Sequence, residues 1–311
     1  MIRLTDRYEF VSDSTASRSP LILGEVLFDH FPDGRQVLGG APFNVAWNVH
    51  GMGFQPCMVS AIGDDEAGEQ VLSAMHDWGM SAEQIQTVAG KATGAVEVKL
   101  KGSEPVFDIL KDRAWDYIEP PAIEDYCNYS YLYYGSLAYR SERTAATIRQ
   151  IIQESKLPRF VDLNVRPPWF DESWVSQLVD GADWLKLNHD ELHRLTQIPC
   201  DTRDDVRKAV DKFRTAHEVA NFCITSGSKG AFLATSDGDG IEVAVTKPQP
   251  LVDTVGAGDG FASVLLAGLI SGRPLRQVGE AASRFAGKVC ENHGATCRDK
   301  SFYENVFNEG A

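Results

Sequence analysis

The stretch DTVGAGDGF, residues 253–261, combines three glycines, one alanine and two aspartates directly before the apolar run ASVLLAGLI. Glycines at a helix start let backbone N–H groups converge, and the helix dipole adds positive potential there. The stretch therefore predicts an anion site with Asp259 beside it in the first helical turn. Because a bound phosphate repels a neighbouring carboxylate, this placement favours a chemical role for Asp259, such as accepting a proton from an attacking hydroxyl. The stretch alone also fits a glycine turn followed by an ordinary helix-start aspartate.

Size, charge and cysteine content limit the classes of protein that fit. The chain has 311 residues, of which 43% are hydrophobic, and its formal net charge is −14. This length and composition predict one large α/β domain with an insertion. The acidic balance disfavours binding to nucleic acid or to an anionic membrane. Six scattered cysteines without a C-x-x-C pair, a polar N-terminus and no long apolar run predict a soluble cytoplasmic protein with reduced thiols.

The order of strand-like and helix-like segments predicts the fold class. After residue 128, the strand-like segments YSYLYYG, RFVDLN, DWLKLN and ANFCITSG alternate with the helix-like segments SERTAATIRQIIQES, DESWVSQLVDG and RDDVRKAVDKFRTAH. Such alternation is typical of an α/β fold with a doubly wound, mostly parallel sheet flanked by helices. We expect this domain to span residues 21–311, and residues 1–20 to form a loose polar extension.

A small β insertion is predicted in the first third of the chain. The segments GAVEVKL, from Gly94, and EPVFDIL, ending at Leu110, alternate apolar and polar residues, and the turn KGSE joins them. Because no helix separates the two segments, they predict a hairpin. The strands of the insertion are expected at about residues 27–38 and 94–118.

A second glycine-rich stretch, GGAPFNVAWNVHGMG, runs from residue 39 to 53, and nine residues separate it from Gly63. The two glycine-rich stretches together resemble the two signatures of the ribokinase (pfkB) carbohydrate kinase family. The matching positions are Gly39, Gly40, Pro42, Asn44, Ala46, Gly53, Gly63, Asp253, Gly256, Ala257, Gly258 and Asp259. The pattern departs at Val264, where the family usually has a small residue. The resemblance extends from residue 21 to 295, and it implies a ribokinase-like fold whose β insertion is a lid.

The resemblance implies a set of residues that bind the sugar acceptor. GEVLFDHFP resembles the first strand and turn of the family, where an aspartate, here Asp29, holds sugar hydroxyls. VDLNVRPPWF resembles the D-x-N-x-R stretch of fructokinases. The first signature adds two glycines, Gly39 and Gly40, and the side-chain amide of Asn44. The implied acceptor residues are Asp29, Gly39, Gly40, Asn44, Asn164 and Arg166. A carboxylate and an amide suit paired sugar hydroxyls, although, taken alone, Asp29 also fits an Asx turn and Asn44 a solvated helix residue.

The resemblance also implies nucleotide and metal ligands. NHDE, residues 188–191, resembles the N-x-x-E element that orders Mg²⁺ and its waters through Asn188 and Glu191. CITSGSKGA resembles the turn near the nucleotide phosphates. The implied nucleotide residues are Lys186, Asn188, Thr225, Gly227, Gly230 and Ser283. Asp253 and the carbonyl of Val255 could hold a monovalent cation, but Arg298 replaces a cation ligand of ribokinases, so activation by K⁺ stays open.

The implied activity is ATP-dependent phosphorylation of a sugar primary hydroxyl. Asp259 is expected to take the hydroxyl proton, while the amides of Gly256, Ala257 and Gly258 stabilise the transferred phosphoryl group. GGAPFNVA, GSLAYRSE and DRAWDYI resemble the fructokinase branch, which favours fructose. Lids of this family often pair between subunits, so a homodimer is expected.

Several alternatives remain open at this stage. The acceptor could instead be ribose, 2-keto-3-deoxygluconate or a nucleoside, and a phosphosugar would need cationic partners such as Arg113, Arg140 or Arg166. A kinase-like partner protein without catalysis is disfavoured by the intact signature around Asp259. HDELH offers two zinc ligands on one helix face, His189 and His193, but no third ligand is evident. The chain also lacks the G-x-x-x-x-G-K-[ST] pattern of a P-loop.

Overall fold

The computed structural model describes residues 19–101, 104–236, 238 and 240–308. Residues 1–18 of the predicted extension, and Gly102 and Ser103 of the predicted hairpin turn, lie outside the described residues. Within them, the strands are β1 (Ser19–Leu23), β2 (Leu27–His30), β3 (Gln36–Gly39), β4 (Cys57–Gly63), β5 (Ile85–Val88), β6 (Gly94–Lys101), β7 (Glu104–Ile109), β8 (Tyr129–Gly135), β9 (Arg159–Asp162), β10 (Trp184–Asn188), β11 (Asn221–Thr225), β12 (Ala231–Ala234) and β13 (Ile241–Val243). The α-helices are α1 (Ala41–Gly51), α2 (Glu66–Trp78), α3 (Glu142–Ser155), α4 (Val175–Val179), α5 (His189–Thr196), α6 (Arg203–His217), α7 (Ala257–Ile270) and α8 (Leu275–Val289).

Nine strands form one large sheet in the order β13-β12-β11-β10-β9-β8-β1-β4-β5. The strands from β11 to β5 pair in parallel, whereas β12 and β13 add an antiparallel edge. The chain passes from β1 to β4 and β5 on one side, and later builds the other side from β8 onward. This reversal opens a crevice at the carboxyl ends of β1 and β8, where open α/β sheets bind ligands. The predicted doubly wound, mostly parallel sheet is confirmed.

Helices cover both faces of the large sheet. Leu21 and Leu23 of β1 pack into a core with residues of α3, α4, α5 and α6, while Ile22 packs on the other face with residues of α1, α2, α7 and α8. This division follows from the alternation of side chains along a strand. No helix in the described parts of the chain combines the length and apolarity needed to cross a membrane.

The small sheet has four strands in the order β3-β2-β6-β7. β6 and β7 form an antiparallel hairpin, and β2 joins β6 in parallel. The expectation of strands up to residue 118 is wrong beyond Ile109, because Ala114–Tyr117 forms a 3-10 helix. Ala114 and Trp115 are fully buried in the core of the large domain. The chain has therefore left the small sheet before residue 114.

Several further elements differ from the sequence-based expectations. The predicted helix DESWVSQLVDG is a 3-10 turn, Glu172–Trp174, followed by the five-residue α4. The Asp171 carboxylate caps the 3-10 turn by accepting from the N–H of Ser173, and Gly181, at a φ of 70°, turns the chain just beyond α4. The short strands β5, β12 and β13 were not predicted, since each has only three or four residues.

Helix α1 is buried along most of its length, from Pro42 to Val49. It packs against α7 on one side and, on the other, against residues 290–308, which are called the C-terminal segment. Trp47 donates through Nε1 to the carbonyl of Cys297 at 2.9 Å, and Tyr303 donates to Asn48 Oδ1 at 3.1 Å. A side chain at Gly51 would place Cβ 2.6 Å from the Tyr303 ring. The C-terminal segment therefore fixes the position of α1 in the fold.

Candidate active site

Two cavities lie at the carboxyl edge of the large sheet and meet at the N-terminus of α7. The first, of about 480 Å³, lies below the small sheet and is called the acceptor cavity, because most of the predicted acceptor residues line it. The second, of about 390 Å³, lies between α8 and the β11–β12 turn and is called the nucleotide cavity, because Thr225, Gly227, Gly230 and Ser283 of the predicted nucleotide residues line it. Thr225, Thr254 and Gly258 line both cavities. A group bound in either cavity can therefore approach the first turn of α7.

The start of α7 requires glycine for steric reasons. Gly256 has a φ of 81°, and a Cβ there would lie 2.1 Å from Cβ of Ala295. At Gly258 an added Cβ would meet nothing closer than Lys186 Nζ, at 3.6 Å, so a Cβ there would make only an ordinary contact and this side of the helix start is accessible. The N–H groups of Gly256 and Gly258 have no backbone acceptor within the described residues, whereas Ala257 N–H makes a long bond of 3.3 Å to Thr254 O. Two unpaired N–H groups thus remain beside the space that an anion could occupy.

Asp259 lies on this first turn and faces the acceptor cavity. Asn44 of α1, 215 residues earlier, donates through Nδ2 to Asp259 Oδ2 at 2.8 Å. Burial raises the pKa of Asp259, and the hydrogen bond from Asn44 opposes part of that rise. Asn44 Oδ1 is buried and has no hydrogen-bond partner within the described residues. The packing of α1 on α7 thus creates a carboxylate oriented by an amide whose own oxygen is unpaired.

Two more carboxyl groups lie in the acceptor cavity near Asn44. Burial raises the pKa of Asp29, on β2, to about 6. Burial also raises the pKa of Glu25, which follows β1, to about 7. The backbone of Gly39 runs between the side chains of Asp29 and Asn44. A Cβ at Gly39 would lie 3.5 Å from Asn44 Oδ1 and 3.9 Å from Asp29 Oδ2. Any side chain at Gly39 would occupy space that the polar groups share.

A buried ion pair joins the ends of β9 and β10. Lys186 Nζ lies 2.8 Å from each carboxylate oxygen of Asp162, and the Tyr133 hydroxyl donates to Oδ2 of the same carboxylate at 3.0 Å. Burial alone would lower the pKa of Lys186, but the negative groups around it, Asp162 foremost, together raise this pKa. Both side chains line the acceptor cavity, and the ammonium group lies next to the open side of Gly258. Sequence reasoning assigned Lys186 to the nucleotide and missed Asp162.

Asn188 and Glu191 form a capping box at the start of α5. Asn188 Oδ1 accepts from the N–H of Glu191 at 2.9 Å, and Glu191 Oε2 accepts from the N–H of Asn188 at 2.8 Å. Glu191 Oε1 accepts from the N–H of Val165 at 2.7 Å. Each carboxylate oxygen keeps a further lone pair for a water molecule, so the pair fits Mg²⁺ bound through water. The same carboxylate also positions the loop that carries Asn164 and Arg166.

Of the three arginines considered for a phosphorylated acceptor, only Arg166 lines the acceptor cavity. Its side chain is exposed and forms no ion pair with any described residue. Arg140 is instead buried, bonds Asp116 at 2.7 Å, and lies 3.8 Å above the ring of Trp115. Asn164 lies in the same cavity and has a φ of 42°, which is unusual for a residue with a side chain.

The nucleotide cavity has an apolar wall and a glycine-rich turn. Thr225, Gly227 and Gly230 of the predicted turn all line it, and a Cβ at Gly230 would lie 2.1 Å from the carbonyl oxygen of Val243. Ser283 also lines the cavity, but its hydroxyl donates to the carbonyl of Ala244 at 2.7 Å and accepts from the N–H of Thr246 at 2.9 Å. The hydroxyl therefore fixes the cavity wall. Sequence reasoning missed four apolar members of this wall, Val245, Pro248, Leu251 and Phe261.

The loop before α7 carries the proposed monovalent-cation ligands. Asp253 Oδ1 accepts from the N–H of Val255 at 3.0 Å, and Oδ2 accepts from the N–H of Gly294 at 3.3 Å. These bonds hold the loop against the segment that contains Ala295. The described residues contain no cluster of three or more His, Cys, Asp or Glu side chains suited to a metal ion.

Comparisons with known proteins agree with this geometry. Residues 17–300 match the sequence model of the family described as pfkB family carbohydrate kinase. A fructokinase from Klebsiella pneumoniae is 26% identical over 262 residues, which cover 80% of this chain and 83% of that protein. A fructokinase from Xylella fastidiosa with bound ATP has a similar structure, with a TM-score of 0.81, 19% identity, and coverage of 94% of this chain and 99% of that one. An Arabidopsis thaliana ribokinase complexed with ribose and ATP gives a TM-score of 0.80 at 20% identity, covering 94% and 99% of the two chains.

Proposed function

The chain belongs to the pfkB family of carbohydrate kinases, and from that premise we propose that this ATP-dependent sugar kinase phosphorylates the primary hydroxyl of an uncharged sugar, with fructose as its preferred acceptor. One observation carries this proposal. The two cavities meet at the glycine-rich start of α7, with Asp259 on the side of the acceptor cavity. A phosphoryl group held at Gly258 from one cavity can therefore reach a hydroxyl held near Asp259 in the other.

The residues of this junction fit an in-line phosphoryl transfer. The sugar oxygen forms a bond to the γ-phosphorus, the bond from that phosphorus to the bridging oxygen of ATP breaks, and ADP leaves. Asp259 accepts the hydroxyl proton, and its raised pKa makes it a better base than an exposed aspartate. The N–H groups of Gly256 and Gly258, together with Lys186, stabilise the negative charge of the transferred group.

Magnesium would be held through water by Asn188 and Glu191. The metal, when bound, would neutralise charge between the phosphates of ATP. Glu191 fits this role because it is buried at the edge of the acceptor cavity with a lone pair free on each oxygen. Activation by K⁺ stays a prediction based on Asp253 and the Val255 carbonyl.

The charge of the acceptor cavity supports a neutral acceptor. Among the described residues, five carboxyl groups line it and only two cations do, one of which is already paired with Asp162. The carboxyl groups are those of Glu25, Asp29, Asp162, Glu191 and Asp259. An acceptor with a carboxylate or phosphate would be repelled by this set, with Arg166 as its one free cationic partner. This disfavours 2-keto-3-deoxygluconate and phosphosugars, while ribose and nucleosides stay as alternatives to fructose.

The small sheet is proposed to act as a lid and as a dimer interface. Phe107 of β7 lines the acceptor cavity, and β7 is an edge strand of the small sheet. Val106 and Phe107 are 45% and 43% exposed, which is unusual for large apolar side chains on a free edge. A second copy that covers this edge would bury both side chains and form a homodimer.

A coupled assay of ADP release tests the substrate assignment. Fructose, ribose, 2-keto-3-deoxygluconate and adenosine are compared with ATP and Mg²⁺ held constant. We expect fructose to give the largest kcat/KM. A larger value for another neutral acceptor would overturn the fructose assignment and keep the uncharged-acceptor proposal, whereas a preference for 2-keto-3-deoxygluconate would overturn both.

A further inference from the structure

Glu25 is a buried carboxyl group that the proposed reaction does not use. It follows Gly24 at the end of β1, is only 3% exposed, and its Oε2 has no hydrogen-bond partner within the described residues. An unpaired buried carboxyl oxygen is costly, so native structures rarely keep one without a ligand, an ion or a water molecule to satisfy it. Glu25 lines the acceptor cavity, where a bound molecule can reach it.

The backbone around Glu25 holds it firmly in this position. A Cβ at Gly40, whose φ is 109°, would lie 2.5 Å from the Glu25 carbonyl oxygen and 3.3 Å from its Cγ. A Cβ at Gly24 would lie 2.4 Å from Cγ of Pro42. Two glycines thus allow the end of β1 and the start of α1 to close around Glu25. The side chain therefore lies between these two elements, at the wall of the acceptor cavity.

A second unpaired acceptor and a small cavity accompany Glu25. Asn44 Oδ1 lies in the same acceptor cavity, is buried and also lacks a partner among the described side chains and backbone. Behind the carboxyl group, a cavity of about 10 Å³ is lined by Glu25, Asp162 and Ser136, whose hydroxyl is unpaired as well. This space is about large enough for one water molecule. The acceptor cavity therefore offers two unpaired oxygens to a ligand that carries hydroxyl donors.

We propose that Glu25 binds the acceptor and sets its specificity, with Oε2 accepting a hydrogen bond from one sugar hydroxyl while Asn44 Oδ1 accepts from another. This inference rests on the proposed function and adds a residue to it. The recognised feature is a pair of hydroxyl donors besides the hydroxyl that is phosphorylated. A sugar that lacks the hydroxyl facing Glu25 leaves Oε2 buried and unpaired, so it is rejected.

The proposal has a consequence for pH dependence. The charged side chains that line the acceptor cavity with Glu25 are Asp29, Asp162, Glu191, Asp259, Lys186 and Arg166, and of these Asp259 and Arg166 act on the charge of its carboxyl group. A hydroxyl that donates to Oε2 favours the ionised carboxyl group, whose pKa in the free protein burial raises to about 7. Sugar affinity should therefore increase as the pH rises through 7. Burial raises the pKa of Asp29 to about 6, so its ionisation gives a separate step at lower pH.

The test compares the wild type with Glu25→Met, which removes the acceptor while keeping an unbranched side chain of similar length. Both are assayed with the preferred sugar and each of its monodeoxy analogues. We expect one analogue to lower the kcat/KM of the wild type by about 10- to 100-fold, and that of Glu25→Met by less than about 3-fold relative to its own value with the parent sugar. The KM for ATP should stay the same in both. If every analogue affects both proteins equally, the inference is overturned.

The pH dependence of the sugar KM is a second test, and its wild-type part holds even if Glu25→Met fails to fold. The KM for the parent sugar should fall as the pH rises through 7, and this step should vanish with the one sensitive analogue. Glu25→Gln should lack the step with every sugar, while Asp29→Asn should keep it and lose the step near pH 6. A step near 7 that persists with all analogues overturns the inference. Absence of turnover with any sugar overturns the proposed function and this inference together.

Discussion

Replacing Asp259 with asparagine separates a catalytic base from an ordinary helix-start residue. The amide keeps the size of the carboxylate, and its oxygen can still accept from Asn44 Nδ2, now 2.8 Å from Asp259 Oδ2. It cannot accept the sugar proton. Loss of a general base lowers kcat by about 10²- to 10⁴-fold, which corresponds to about 3 to 5 kcal/mol in the activation free energy. The KM values for ATP and sugar should change little.

The effect of Asp259→Asn on stability combines two small contributions of opposite sign. Loss of the favourable interaction with the N-terminus of α7 destabilises the fold by about 0.3–1 kcal/mol. Burial raises the pKa of Asp259 in the folded state. Ionisation of this group therefore lowers the stability of the fold as the pH rises above the pKa that Asp259 has in the unfolded chain. The neutral amide removes that cost at pH 7 to 8. We therefore expect a melting temperature within a few degrees of the wild type.

The assay measures kcat by ADP release and Tm by thermal unfolding for the wild type, Asp259→Asn and Asp204→Asn. Asp204 is the matched control, because it is an exposed aspartate in the first turn of α6 and lines neither cavity. Asp204→Asn should change kcat by less than about 2-fold, because surface substitutions have small effects. A folded Asp259→Asn protein with near-normal turnover would refute the assignment of Asp259 as the base.

Three other expectations follow from the site and the lid. Glu191→Gln should raise the Mg²⁺ concentration needed for half-maximal rate. It should also raise the sugar KM, because the amide can keep only one of the two bonds that the carboxylate accepts from the N–H groups of Val165 and Asn188. Unchanged Mg²⁺ dependence would exclude Glu191 as a metal residue. Lys186→Met should lower the free energy of unfolding in urea by about 3–5 kcal/mol, since it leaves Asp162 buried and unpaired, and a loss below about 1 kcal/mol would contradict this. Light scattering should show a dimer that Val106→Asp dissociates, and a monomeric wild type would rule out the proposed interface.

Local signals in the sequence predicted most of the fold. The segment RDDVRKAVDKFRTAH coincides with α6, whose N-terminus Thr202 caps by accepting from the N–H of Asp205. In the 253–261 stretch, Gly256 precedes a helix that begins at Ala257, and Gly258 and Gly260 lie in its first turn. These elements carry their own start signals, so no tertiary contact is needed to recognise them. Elements without such signals, among them the four-residue edge strand β5, were missed.

The missed site residues depend on contacts between distant parts of the chain. Glu25 follows a short strand and a glycine, a pattern that equally fits an exposed strand end, and only the closure of α1 over it buries its carboxyl group. Asp162 and Lys186 are 24 residues apart and meet because β9 and β10 pair in parallel with these two residues in register. That register could have been inferred, since parallel strands align their carboxyl ends. The depth at which each group is buried could not.

The dependence of α1 on the end of the chain has a consequence for biosynthesis. Asn44 meets Asp259 across 215 residues, and Asn48 meets Tyr303 across 255 residues. At a translation rate of about 5–20 residues per second, the ribosome needs about 10 to 40 s to make the 215 residues between the first pair. During that time the nascent α1 has neither α7 nor the C-terminal segment to cover its apolar surface. Final assembly of the acceptor cavity must therefore wait until nearly the whole chain has been made, and chains that stop before Tyr303 should expose α1 and aggregate.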